Sequence, residues 1–541
     1  MSGLILRAPS GDGELLQVPP LAEAERPWRE NRARFEGWDH DFQGRGAVRL
    51  RAMARRDAFA VARSCAIDYG FPIPEHDLTS SCGIVMTGHQ PEIFHPGVWV
   101  KNFAVAALAR RFGAIGLNMI VDNDLPKSAE IRTPRKASGS EGLTVERIPF
   151  DSWSLDVPFE DWRVQDESLF ADFGGKIEAA VAGLVKEPIV REFWPLAVAA
   201  AERSDRSGVR FAAARSALET AWGAGNYEIT LGRIAETESF AWFLCHILAH
   251  LPRYRNVHND ALASYRSIHK IRSKNHPVAD LGIEGDWLEA PFWAWRETAP
   301  RRRPLLIRAR SKTIALRIGG EPDPFVELPL AADRDACCAV DRLLDLPKSG
   351  VRIRPRALTT TMFARLLVGD LFVHGIGGAK YDELGDEIIR EFLGVEPPEF
   401  LALSLTLWIG GGEPSSSPSM IELEELNRRL RDLRFNPDRV LGDDAPAEAR
   451  RLILEKRDAI RSLCSTRFER KRRKATIRRL NEALEAYLVA ERDRMVAQRD
   501  RLLVALKLRA PARYREYSLV THDRSRFLGA LAQHGISPGS G

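Results

Sequence analysis

A short apolar run, Gly83-Ile84-Val85-Met86, is followed by a polar stretch, Thr87-Gly88-His89-Gln90-Pro91-Glu92, and then by an amphipathic pattern from Asn102 to Phe112. A second apolar run, Leu117 to Val121, ends in Asp122-Asn123-Asp124. The order predicts strand, polar turn, helix, strand, polar turn, which is the local grammar of a parallel sheet in an α/β protein. Ligands of such sheets sit beyond the carboxyl ends of the strands, where both polar turns fall.

The alternation continues to about Phe150, with a strand-like run at Leu143 to Ile148. Residues 1–75 read as an N-terminal helical cap, with helical character from Val48 to Tyr69, and 76–410 as the core. Residues 160–250 are mostly helical, and His, Trp and Arg accumulate from Asn226 to Arg317, so a substrate-binding insertion is expected at about 160–300. Strand character returns at Pro304–Ala309, Thr313–Ile318 and Leu366–Val373, the last leading into His374-Gly375-Ile376-Gly377-Gly378. A Gly/Ser/Pro-rich break spans residues 410–418. Residues 419–510 read as a helical coiled-coil hairpin in which Ile477, Leu480, Leu484, Leu488, Met495, Leu502 and Leu506 form a roughly heptad stripe. Residues 511–541 read as a tail that packs back on the core.

A chain of 541 residues, 44% hydrophobic and 28% charged, has the composition of a soluble multidomain protein. It has no apolar run near the ~18 residues of a membrane span and no signal-peptide layout at its start, so a cytoplasmic protein is expected. The net charge of +5 argues neither for nor against anionic partners. Six cysteines without a CxxC spacing are expected to be reduced and mostly buried. The basic run Arg467 to Lys474 lacks interleaved aromatics, so nucleic acid is not an expected partner.

Three constellations carry candidate chemistry. Thr87, Gly88, His89, Gln90 and Lys101 gather polarity beside a core strand: His89 suits charge stabilisation and Lys101 a phosphate, or else the first bonds a turn carbonyl and the second reaches solvent. Asp122 and Asp124, two residues apart, would face one side of an extended segment and orient a substrate amine, with Asn123 beside them; alternatively all three only bond their own turn. Gly375, Gly377 and Gly378, between His374 and a helix expected from Ala379 or Lys380, form a nest for phosphate or carboxylate, with Tyr381 and Asp382 on the first turn facing the same cleft. His246 and His250 have the spacing of helical metal ligands but lack a zinc-protease glutamate, and no metal site is expected. The aromatic and cationic residues from Tyr265 to Arg296 would wall a sugar or acid pocket, or pack as a surface region.

Several of these motifs resemble the bacillithiol synthase family, the cysteine-adding enzymes of bacillithiol biosynthesis. Thr87-Gly88-His89-Gln90 is similar to the family's Thr-Gly-Gln-Gln turn, and Asp122-Asn123-Asp124 to its Asp-His-Asp turn. Phe372-Val373-His374-Gly375-Ile376-Gly377 with Tyr381 resembles its glycine loop. Arg354-Pro355 stands at its Arg-Pro pair, with Arg356 following, and Arg513-Tyr514-Arg515-Glu516-Tyr517-Ser518 near the end is similar in order and spacing. The resemblance implies a Rossmann-like, nucleotidyltransferase-type parallel-sheet core with inserted connective segments and a dimerising coiled coil. It implies a ligase joining cysteine to an amino-sugar acceptor, with ATP or another adenine nucleotide as cofactor. His89, Asp122, Asp124 and His374 would then be catalytic, Thr87, Gly88, Gln90, Lys101 and the three loop glycines would hold the cofactor, and Asn123, Arg354, Arg356, Tyr381 and Asp382 the substrate. His89, Asn123, His374 and Ile376 depart from the family pattern, which implies a changed substrate. A local likeness of His89 to Lys101 to the opening motif of WbqC-like proteins implies, as an alternative, a nucleotide-sugar enzyme; a non-catalytic, nucleic-acid-associated coiled-coil protein is the other alternative.

Overall fold

A computed structural model describes residues 6–72, 82–136, 142–152, 156–273, 276–410, 420–442, 445–464 and 466–536. The Gly/Ser/Pro break predicted at 410–418 lies, beyond Gly410, outside the described residues. The chain divides into two compact units. One comprises Met1–Arg135, Val145–Gly410 and Arg515–Gly541, the other Lys136–Thr144 and Gly411–Tyr514. The first is a mixed α/β structure.

Its main sheet contains β1 (Leu15–Val18), β2 (Ile84–His89), β3 (Ile115–Ile120), β4 (Tyr227–Thr230), β5 (Leu371–His374) and β6 (Phe400–Leu405), in the spatial order β1-β6-β5-β2-β3-β4. All neighbours are parallel except the edge pair β1–β6. The central strands carry continuous apolar runs because both faces are covered: Ile84, Val85 and Met86 are fully buried. The covering helices include α1 (Ala47–Tyr69), α2 (Pro96–Phe112), α3 (Ser207–Ala221), α4 (Glu238–Ala249) and α5 (Ile376–Ile388).

Helix α2 begins six residues before the predicted Asn102. Pro96 occupies the first turn, where no amide donor is needed, and the His95 ring accepts the Gly97 amide at 3.1 Å. It stops at Gly113, whose φ of 59° is the left-handed conformation glycine adopts freely. Contrary to an amphipathic reading it is buried nearly all round, because the C-terminal segment covers its outer side. Trp99 stacks on Phe527 with ring centroids 4.7 Å apart.

Two buried charge clusters tie the sheet to its helices. Asp370 receives Arg51 and Arg55 of α1, each at 2.6 Å, and the Ile84 amide at 2.8 Å. Glu219 of α3 accepts Trp99 Nε1 at 2.6 Å, Asn102 Nδ2 at 2.7 Å and Arg215 Nη1 at 2.8 Å, while Arg215 also pairs with Glu228 of β4 at 2.6 Å.

Several elements differ from the sequence expectation. The N-terminal region is not only helical, since β1 supplies the antiparallel edge strand. The expected insertion contains β4, a strand of the main sheet. Leu366–Val373 is not one strand: Ala364–Val368 is a π-helical turn and β5 starts at Leu371, because Asp370 turns inward to its arginines. Leu143–Pro149 pairs with Glu130–Lys136 in a separate two-stranded sheet. Trp287–Arg296, Ala299–Ala309, Ile314–Ile318, Val326–Leu328 and Val351–Pro355 form a second, antiparallel sheet. Only two cysteines, Cys65 and Cys245, are buried; Cys337 and Cys338 are exposed, and all six are free thiols.

The second unit holds helices Met420–Phe435, Ala447–Arg461, Arg467–Glu485 and Val489–Arg509. A new helix starts at Arg467, where Thr466 and Glu469 form a reciprocal capping box. Leu488 and Met495 of the heptad stripe pack on Leu426 and Leu433, and Leu484 on Ala449 and Ile453, so these positions are used inside the unit itself. Among the described residues no helix is long and apolar enough to cross a membrane.

Candidate functional site

A cavity of about 1000 Å³ opens beyond the carboxyl ends of β2, β3 and β5 in the first unit. Four segments wall it: Gly88–Gln90 at the end of β2, Asn123–Asp124 in the turn after β3, Pro355–Thr361 at the end of the strand Val351–Pro355, and His374–Gly378 at the end of β5. Each lies at or just past a strand end, so the sheet itself fixes their spacing. His89, Asn123 and His374, distant in sequence, all line this one cleft.

The roles of these residues differ from expectation. His89 has no free nitrogen: Nδ1 donates to the Gln90 carbonyl at 3.0 Å and Nε2 accepts from Asn102 Nδ2 at 3.2 Å, the tautomer this network assigns. Burial, with the charges of Arg215 and Lys101, holds it well below the usual histidine range. Both ring nitrogens are thus engaged within the protein where His89 lines the cleft. Thr87 is fully buried and donates to the Val373 carbonyl at 2.7 Å, so it ties β2 to β5 and does not face the cleft. His374 stands 2.7 Å from Asp382, which is also held by Arg365 and Thr361 at 2.7 Å each. Burial alone would raise Asp382, but His374 and Arg365 hold it well below the usual carboxylate range. This cluster fixes the glycine loop from behind.

Asp122 and Asp124 do not share a face. The strand ends at Ile120 and residues 122–124 form a turn, so the two-residue period of a strand no longer applies. Asp124 faces the main cleft, held by Gln90 Nε2 and by Arg302, both at 3.0 Å. Asp122 faces a second cavity, of about 630 Å³, and accepts the Gly232 amide at 2.7 Å. Burial and the neighbouring charge of Glu160 push it up to about 7. Arg354 also lines that second cavity and not the main cleft, paired with Glu160 at 2.8 Å and Glu236 at 2.7 Å.

The remaining predicted groups converge on the main cleft. Helix α5 begins at Ile376, three residues earlier than expected, with Gly375 as its cap and no side chain over its first amides. Lys101 reaches up from α2; it is 4% exposed, donates to the Gly88 carbonyl at 2.9 Å, and burial pulls it down to about 7. Its Cε lies 4.0 Å from the position a Cβ on Gly375 would take. Arg356 pairs with Glu289 at 2.6 Å and lies over Trp293 at 4.0 Å; Tyr381 lines the same wall. The buried Asn123 donates to the Pro355 carbonyl at 2.8 Å and leaves Oδ1 without a partner. His258 Nδ1, also on the wall, has none either.

Arg302 and His258 were not among the expected site residues. Arg302 lies in the strand Ala299–Ala309 within three consecutive arginines, and only the fold shows that the middle one turns inward to Asp124 and Trp293. Trp293, by contrast, falls in the aromatic–cationic region predicted to wall a pocket. His246 packs against His40, Phe42 and Phe392, and His250 bonds Gln43 at 2.8 Å. Among the described residues no group of three or more His, Cys, Asp or Glu side chains is placed to hold a metal ion. No protein-family model matches the chain, and no curated protein matches it.

Proposed function

We propose that the protein is an enzyme of small-molecule metabolism, a bacillithiol-synthase-like ligase or transferase that joins an amino acid to an amino-sugar-type acceptor. One observation supports this reading above the others. The turn after β2, the turn after β3, the Arg356 segment and the glycine loop, each of which resembles a family motif, line one cleft with cationic side chains and an open helix N-terminus. In this reading the first unit is a Rossmann-like core and the second a coiled coil that pairs with a second copy.

An adenine nucleotide fits the groups present. The amides of Gly377 and Gly378, with Lys101 and Lys380, are placed for its phosphates, and Asn123 Oδ1 is a buried acceptor that needs a ligand donor. Bound there, a nucleoside triphosphate supplies the activation of a carboxyl group. Arg356 and Arg302, stacked on Trp293, suit the acidic part of an acceptor, and an acceptor amine would share Asp124 with Arg302.

The test is to incubate the full chain with ATP, amino acids and amino sugars, and to follow nucleotide consumption and new masses. The reading expects a condensed product that is lost in Lys101→Met and reduced in Arg356→Ala. Product formed at an unchanged rate by both variants, or none from any pair of substrates, would refute it.

A further inference from the structure

The ammonium of Lys101 is placed unlike any other cation of the cleft. Its residue is 4% exposed, it donates to one carbonyl, and among the described residues no carboxylate lies within ion-pair distance of it. Three acids line the cleft: Asp124 pairs with Arg302, Asp382 with Arg365, and Glu516 stands in the C-terminal segment beside Arg515. Two of its three donor positions remain for a ligand beneath the first turn of α5.

We propose that phosphate binding in this cleft is proton-coupled: above neutral pH Lys101 is largely uncharged in the empty site and takes up a proton together with the phosphate group of the ligand, which makes it the residue that selects for a phosphate-bearing ligand. The inference rests on the cleft reading of the previous section and adds to it the charge state of the site.

The histidines around Lys101 supply no counter-charge in the empty site. From β2 it faces His89, from the cap of α2 His95, and from β5 His374, and positive charge on any of these opposes its own. Strands β3 and β6, which also pack on α2, carry no ionisable residue. Arg524 and Arg526 of the C-terminal helix are paired with Glu192 and Asp12. Arg515 bonds Ser404 and the Leu405 carbonyl. Burial alone accounts for the fall of Lys101 to about 7. A phosphate dianion against Nζ supplies the missing counter-charge and restores the ordinary lysine range. The buried Asn123 Oδ1, open to a donor, further fits a ligand whose phosphate is carried on a hydroxyl- or amine-bearing body.

The coupling has a fixed slope. Above the amine's own pKa and below that of the complex, one proton taken up per ligand weakens binding about tenfold per pH unit, so roughly 50-fold between pH 7, the amine's midpoint, and pH 9. Phosphate monoesters are already dianionic over this range, having a second pKa of about 6, and contribute no slope. The experiment is calorimetric titration of the full chain with ATP and glucose 6-phosphate at pH 7, 8 and 9, each in two buffers of different ionisation enthalpy.

The expected result is uptake of nearly one proton per ligand at pH 8 to 9 for at least one probe, with the stated slope. Both should vanish in Lys101→Met, and Lys101→Arg, always charged, should bind without slope. Which probe binds most tightly separates a nucleotide from a sugar phosphate as the source. Binding without proton uptake in the wild type, a slope retained in Lys101→Met, or no binding of any probe overturns the proposal. Turnover without proton coupling would remove this inference alone, and proton-coupled binding without turnover would remove the ligase reading alone.

Discussion

Glu219→Ala offers a measurable test of how the site wall is supported. The carboxylate is 1% exposed and accepts three donors, Trp99, Asn102 and Arg215. Its removal leaves the buried guanidinium of Arg215 with Glu228 as its remaining carboxylate and orphans the Trp99 indole N–H. Breaking a buried pair by deleting one partner costs about 3–5 kcal/mol. The separate bonds, worth roughly 1.5–3 kcal/mol each when charge-assisted, are not to be added to it, because they belong to one network. The expected loss is therefore about 3–5 kcal/mol. Urea unfolding followed by tryptophan fluorescence reads it cleanly: all 12 tryptophans belong to the first unit and none to residues 411–514. The transition should move to lower urea with its slope unchanged. Asn102, which also fixes His89, would lose one anchor, so ligand affinity should fall with stability. A loss below about 1 kcal/mol would show that the network is not what holds α2 and α3 together.

Three further outcomes follow from the same geometry. Asp370→Asn leaves Arg51 and Arg55 without their carboxylate and should cost about 3–5 kcal/mol in the same fluorescence assay. Lys101 has a folded pKa, about 7, below its ordinary 10.5, so its penalty to folding is fully present below pH 7 and disappears as pH rises toward 10.5. Lys101→Met should accordingly gain stability over the wild type at pH 6–7, and that margin should shrink by roughly 5 kcal/mol as the pH is raised to 10.5, as denaturation across the range would show. In Gly232→Ala the new methyl would stand 2.8 Å from Glu160 and 3.2 Å from Asp122, so the two carboxylates must part; about 1–3 kcal/mol of destabilisation is expected, without loss of phosphate binding in the main cleft.

The β2–turn–α2–β3 segment was legible because its apolar runs are uninterrupted and its turns polar, which a parallel strand buried on both faces requires. The main cleft followed from it, since ligand-facing turns collect at one sheet edge. Asp122 was misassigned because strand periodicity was carried past Ile120 into a turn. Strand β4 is hard to read because Glu228 interrupts its apolar pattern, and that glutamate is tolerated through Arg215, 13 residues earlier on another element, and Asn118 of β3. Asp370 likewise splits an apolar run that looks like one strand, and its partners lie more than 300 residues away. The roles of His89 and Thr87 were out of reach for the same reason: a residue type marks a possible chemistry, but only the fold shows whether its polar atoms are already occupied. Arg302 shows the converse, a cleft-lining position hidden among equivalent neighbours until the strand's inward side is known.

The most direct test of the central claim is a crystal structure of the full chain with ATP or pyrophosphate at pH 7. The account predicts a phosphate within hydrogen-bonding distance of Lys101 Nζ and the Gly377 and Gly378 amides, in the cleft lined by Asn123 and Arg356. A phosphate seated instead in the cavity of Asp122 and Arg354, or a main cleft left empty at saturating ligand, would contradict it.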